Sequence, residues 1–161
     1  MRTDCEVVEW AQRESEQARC GDARLTKRLG LLLTKLGQSP GMSIPQAFNG
    51  RHAEIAAAYR FFDNPAANPE NILGAHLQQS LIRMAEHSTV LLVQDTTEMD
   101  MSQPQRRIQG AGPLDDSPRQ GAFVHLMHAF TLEGTPLGSV WHKLLVRAPR
   151  PVDHAVARQT R

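Results

Sequence analysis

The chain has 161 residues, 40% of them hydrophobic and 22% charged, with a formal net charge of +1. Those values fit one ordinary domain or two small ones, and they argue against wholesale disorder and against a disulfide-stapled miniprotein. No apolar run approaches the roughly 20 residues that span a bilayer. The opening MRTDCEVVEW is acidic and has no apolar core, so no secretory signal is expected and the cytoplasm is the expected compartment. Cys5 and Cys20 are too few for a disulfide framework, are not spaced as a metal site, and read as inert thiols.

The near-neutral total hides an uneven distribution. Residues 1–16 hold five acidic side chains against Arg2 and Arg13, whereas residues 17–60 hold seven Lys or Arg against Asp22 and Glu54. A basic block inside a helical region presents a local positive face, which raises the prospect of a nucleic-acid partner.

In chain order, Thr3 and Glu6 have the spacing of a capping box, so a first helix starts at Asp4, with Val7, Trp10, Ala11 and Ala18 as a weak apolar side and Gly21 as its breaker. Asp22 is a good N-cap for a second helix. Leu25, Leu29, Leu32 and Leu36 recur at the spacing of one buried helical face, and Gly37 and Pro40 end the helix. Arg24, Lys27, Arg28, Leu31 and Lys35 fall on its other sides. Ser43 caps a short turn from Ile44 to Phe48, and Asn49-Gly50 is a turn. Residues 51–63 form a third helix with Ile55, Tyr59 and Phe62 sharing a face. Asn68-Pro69-Glu70 opens a long helix with the stripe Leu73, Leu77, Leu81 and Met84, ending near His87.

The period then changes. Residues 89–93, TVLLV, suit a buried strand; residues 95–120 read as a polar, turn-rich loop; residues 121–131 and 136–147 read as strands joined at Glu133-Gly134. The fold class is therefore α+β. A helical unit over about 1–65 and a connecting helix over 66–88 precede a three-stranded β unit over 89–147, and residues 148–161 are expected to fray. Three strands make a thin core, so the β unit reads as the opening of a larger domain.

Asp95 is the first candidate for chemistry. A carboxylate at the end of an apolar strand emerges beside solvent, where it can hold a divalent metal, and two such metals drive phosphoryl transfer. That chemistry needs two or three converging carboxylates; the plainer reading of Asp95 is a side chain bonding the backbone around Thr96 and Thr97. Asp115-Asp116 reads as a turn. His125 and His128 lie three apart on a strand and face opposite ways. Trp141 reads as core. For the basic helix, a solvated face competes with phosphate contact, in which Arg24, Lys27 and Arg28 would be donors, joined by Arg60 from the neighbouring helix.

Six segments occur here in one order: GDARLTKRL (21–29), GMSIPQAF (41–48), AAAYRFFDNP (56–65), VQDTT (93–97), GAFVHLMHAF (121–130) and EGTPLGSVW (133–141). The series resembles the bacterial cut-and-paste transposases of the "insertion sequence four" type, over roughly residues 8–147. The resemblance implies an N-terminal helical DNA-binding domain followed by an RNase H-like catalytic core. It implies that Gly21, Asp22, Arg24 and Arg28 lie in the helix motif reaching the transposon-end duplex, and that Tyr59 and Arg60 lie in the YRF segment, whose Arg also approaches DNA. It makes Asp95 the first carboxylate of an Asp-Asp-Glu triad binding Mg²⁺. The implied activity is Mg²⁺-dependent cleavage and strand transfer on double-stranded DNA in a synaptic homodimer. Leu25 stands where some relatives carry a second Arg, and Met42 where some carry a Lys. The second Asp and the Glu of the triad are expected beyond residue 161, which makes this a truncated transposase, inactive alone. A stand-alone DNA-binding regulator and one half of a split nuclease, with a partner chain supplying the missing carboxylates, are the alternatives.

Overall fold

The structure, a computed structural model, describes residues 3–102, 108–115 and 118–148. The frayed tail expected from residue 148 lies, apart from Ala148 itself, outside the described residues, as does Asp116. The fold is mixed α+β and divides into two compact units, residues 1–89 and 90–161. Among the described residues no helix is long and apolar enough to cross a membrane.

The first unit comprises α1 (Asp4–Glu16), α2 (Ala23–Gln38), α3 (Ile44–Ala47), α4 (His52–Phe62) and α5 (Pro69–Ala85). Local signals set most of the helix starts. The Thr3 N–H donates to Glu6 Oε2 (2.6 Å) and the Glu6 N–H to Thr3 Oγ1 (3.3 Å), a reciprocal cap. Asp22 and Asn68 accept from the first-turn N–H groups of Arg24 (2.7 Å) and Asn71 (2.9 Å).

Helix α2 runs through Gly37 instead of ending there. A methyl group at Gly37 would press on Val7 and Trp10, and one at Gly30 on the Ser15 hydroxyl. The two glycines, seven residues apart, let α1 lie close against one side of α2, and that packing outweighs the poor helix propensity of glycine. The leucine row occupies a second side. Leu29 and Leu32 are buried with Ala47, Phe48, Ala58 and Phe61, and Leu25 and Leu36 pack at the edge of this core.

Two expected faces are corrected. In α4 the buried side chains are Ala58 and Phe61, whereas Tyr59 and Phe62 are 49% and 51% exposed. The small side chain of Ala58 permits close approach to α2, and that choice turns Tyr59 outward. In α5 the stripe from Leu73 to Met84 is only half-buried, with Leu81 45% exposed, and the fully inward positions are Ala75 and Ser80. Helix α5 is held against α1 largely by polar contacts. Glu14, 3% exposed, accepts from Arg83 Nη1 (2.8 Å) and pairs with His76 Nδ1 (2.8 Å). The Ser80 hydroxyl donates to the His76 carbonyl (2.8 Å). His76, Ser80 and Arg83 stand one helical turn apart, so one face of α5 encloses the carboxylate.

The second unit comprises β1 (Leu91–Asp100), β2 (Gly112–Pro113), β3 (Gln120–Phe130) and β4 (Pro136–Leu145). They form one four-stranded antiparallel sheet. Strand β3 is central, paired with β1 on one side and with β4 and β2 on the other. The expected three-stranded sheet thus gains β2, which pairs Gly112 with Gly121. Part of the expected 95–120 loop is strand, since β1 continues to Asp100 and β2 occupies Gly112–Pro113. Nor is β1 buried: every one of its residues is exposed, including Leu92 at 54%. It is an edge strand, hydrogen-bonded on one side only. Trp141, expected in the core, is 43% exposed. The turn at Glu133-Gly134 is present, closed by the Gly134 N–H to the Thr131 carbonyl (3.0 Å).

Burial alone would push the Glu14 carboxyl up, but the hydrogen bond and charge of His76, with those of Arg83, outweigh it and hold it below the ordinary 4.5. A carboxyl lowered in the folded state contributes stability above pH 4.5, lost as pH falls through the lower folded value. Glu14→Ala is expected to lower the unfolding free energy by about 2–3 kcal/mol in urea titrations at neutral pH. Its stability should fall less than that of the wild type between pH 5 and 3.

Candidate nucleic-acid interface

With α1 on one side of α2 and the leucine row on another, Arg24, Lys27, Arg28 and Lys35 remain on the outward side. Arg24 and Lys27 are exposed; Arg28 and Lys35 are half-buried. Arg24 folds back on its own helix cap, donating from Nη2 to Asp22 Oδ2 (2.8 Å) and from Nε to both carboxylate oxygens. The hydrogen bonds from the Arg24 side chain and backbone hold the Asp22 carboxyl below its usual value. The Arg24 side chain is 92% exposed, so the pair is open to water and weakly held. Arg28 donates from Nη1 to Glu54 Oε2 (2.6 Å), tying α2 to α4. Tyr59 and Arg60 lie exposed on α4.

Between α2, α3 and the first turn of α4 lies a cleft of about 130 Å³, lined by Leu31, Lys35, Ala47, Phe48, Asn49, Arg51 and Glu54. Arg51 and Glu54 escaped the sequence reading. Arg51 is the N-cap of α4, placed there by the left-handed Asn49-Gly50 turn (φ of 50° and 70°). The only hint in the sequence is that turn, directly before a basic residue. The Glu54 carboxylate is taken by Arg28, whereas Lys35 and Arg51 have no carboxylate partner among the described residues.

The second unit gives Asp95 a different place from the one expected. It stands in the middle of β1, not at its end, opposite Leu126, and its Oδ1 accepts from the Thr96 N–H (2.7 Å). That row of the sheet continues through Leu126 to His142 on β4. Two strand spacings, about 9.5 Å, separate Asp95 from His142, too far to share one ion. Glu98 and Asp100 lie an odd number of residues from Asp95 and so project from the opposite face. Both, with Asp115, bind Arg119 at 2.9–3.0 Å. His125 and His128 likewise face opposite ways, touching Thr96 Oγ1 (2.6 Å) and Ser139 Oγ (2.9 Å). Among the described residues no three His, Cys, Asp or Glu side chains come together as metal ligands. Mg²⁺ therefore does not fit Asp95 and its present neighbours, which supply one carboxylate where phosphoryl transfer needs several.

The Asp100 carboxyl is held down to about 2, first by the hydrogen bonds of Ser102 and then by the Arg119 guanidinium. Its contribution to stability is present above the ordinary 3.8 and lost as pH falls through about 2. An NMR titration of the wild type should place Asp100 near 2, and Arg119→Gln should move that midpoint upward; an unchanged midpoint would show that Arg119 does not hold it.

No curated protein matches this chain. Residues 8–67, spanning most of α1 and all of α2 to α4, are similar to the family described as transposase DNA-binding, which supports a transposase-type segment with DNA as its partner.

Proposed function

We propose that this chain is the N-terminal, DNA-binding portion of a bacterial cut-and-paste transposase of the "insertion sequence four" type, and that its helical unit holds double-stranded DNA at a transposon end. One observation carries the reading: within the segment similar to transposase DNA-binding domains, α2 turns its leucines inward and a row of cations outward. Arg24, Lys27 and Arg28 on α2 would grip phosphates along one groove wall, since Arg24 and Arg28 stand one turn apart. Arg24 would exchange Asp22 for a phosphate, a small cost for a pair so exposed. Arg28 would approach with its orientation already set by Glu54. On α4, Arg60 would add a phosphate contact and Tyr59 an aromatic edge against the backbone.

In the same reading the sheet is the opening of an RNase H-like core, with Asp95 as the first carboxylate of an Asp-Asp-Glu triad, acting in a synaptic homodimer in the cytoplasm. An antiparallel meander of β1, β3 and β4 with an open β1 edge supports this. Mg²⁺ would be held only when further carboxylates join Asp95. The exposure of Leu91, Leu92 and Val93 also favours a second reading, in which a partner chain covers β1 and brings those carboxylates.

Binding to the element's terminal duplex should weaken steeply with salt, and Arg28→Ala should reduce the log–log slope by about 0.9. Equal affinity and slope for the two proteins would remove Arg28 from the interface, and binding insensitive to salt would end the DNA reading. Incubated alone with Mg²⁺ or Mn²⁺ and end-labelled DNA, the chain should cleave no more than an Asp95→Ala control; cleavage above that level would contradict the single-carboxylate view.

A further inference from the structure

We infer that the cleft between α2, α3 and α4 is a seat for one DNA backbone phosphate, clamped jointly by Lys35 and Arg51. The inference rests on the DNA-binding reading and adds to it a position that neither the α2 row nor the Tyr59-Arg60 edge supplies. Three observations converge on an anion. First, the cleft is walled by Lys35 from α2 and by Arg51 from the start of α4, and neither has a carboxylate partner among the described residues. Second, its one carboxylate, Glu54, is already neutralised by Arg28 at 2.6 Å, so the two cations set the sign of the cleft. Third, it opens at the first turn of an eleven-residue helix whose N-cap, Arg51, makes no side-chain cap hydrogen bond. First-turn N–H groups carry partial positive charge and accept anions readily.

The size agrees. A cleft of about 130 Å³ has room for a phosphate group. Phe48, 3% exposed, forms the floor and offers no free ring face for stacking a base. Phosphate chemistry is therefore favoured over base recognition. The floor and the Asn49-Gly50 turn make the seat a built feature: the Gly50 N–H donates to the Pro45 carbonyl and the Arg51 N–H to the Phe48 carbonyl, at 3.0 and 3.1 Å. These bonds fix the N-cap position that Arg51 occupies. Lys35 lies seven residues after Arg28 on the same side of α2, so the seat continues the line of cations by two turns, about 10 Å.

The test uses the whole chain and four proteins: wild type, Lys35→Gln, Arg51→Gln and the double variant, each checked for an unchanged Tm. Affinity for a duplex of the terminal sequence is measured over a range of salt. If both cations hold one phosphate, the double variant loses about 0.9 of log–log slope, and the two single losses of affinity sum to more than the double loss. A double variant with wild-type slope would overturn the seat. So would additive single losses with a slope change of about 1.8, which would mean two separate phosphates. Inorganic phosphate supplies the second arm. If it raises the Tm of the wild type and not of the double variant, while DNA binding by the two is equal, the cleft is a free-anion site and the DNA assignment falls. A wild type that binds no DNA would overturn the broader reading as well, whereas wild-type binding untouched by the double variant overturns this inference alone.

Discussion

Leu29 and Leu32 of α2 leave water against Phe48, Ala58 and Phe61, and the direction of nearly every other side chain in the helical unit follows from that contact. Burial of each large apolar side chain contributes on the order of 2 kcal/mol, which no exposed ion pair on this helix approaches. Once the leucine row is fixed inward, the helical period leaves two other sides. One is levelled by Gly30 and Gly37 and receives α1; the other carries the cations, with Arg24 and Lys27 exposed and Arg28 and Lys35 half-buried. The positive face is thus a remainder of hydrophobic packing, and its position on the unit is as firm as the core behind it.

One ion pair then decides how that face is divided. Arg28 binds Glu54 across the α2–α4 contact, which consumes the one carboxylate in the neighbouring cleft and leaves Lys35 and Arg51 to set its potential. Elsewhere in the unit, Glu14 draws His76 and Arg83 of α5 onto α1. The carboxylate is enclosed while its partners keep part of their surface in water, so the partners bear less desolvation than the acid does. Of the leucine stripe of α5, Leu81 is exposed and Leu73, Leu77 and Met84 stay half-buried, while Ala75 and Ser80 take the fully inward positions.

In the sheet, the governing constraint is the two-residue period of extended chain. It puts Asp95 on one face and Glu98 and Asp100 on the other, where Arg119 gathers them. Asp95, Glu98 and Asp100 therefore do not converge as metal ligands among the described residues, however close they lie in sequence. The period also places Leu92 and its neighbours Leu91 and Val93 on opposite faces of an edge strand, both open to solvent. β1 is thus an apolar edge strand with both faces exposed, paired through β3 alone among the described residues.

Helix starts, the amphipathic α2 and the hairpin at Glu133-Gly134 were legible in the sequence, because capping, periodicity and turn chemistry act over a few residues. The outward cations on α2 were legible for the same reason: a regular leucine row names its own opposite side. What failed were questions settled between elements far apart in sequence or by competing faces. Ile55, Tyr59 and Phe62 share a helical face by spacing, yet only Ile55 packs on the core; Ala58 and Phe61 are the buried side chains, and Tyr59 and Phe62 turn outward. Glu14 reads as a surface acid until α5 brings His76 and Arg83 to it from 62 and 69 residues away. Arg51 and Lys35 become one site only when the turn at Asn49-Gly50 folds α4 back beside α2. Asp95 reads as a strand end because the residues after it are polar; pairing with β3, which asks only for backbone hydrogen bonds, carried the strand five residues further. Local chemistry names the elements, and tertiary packing decides which side chains meet, because that depends on distances through space that no short stretch of sequence contains.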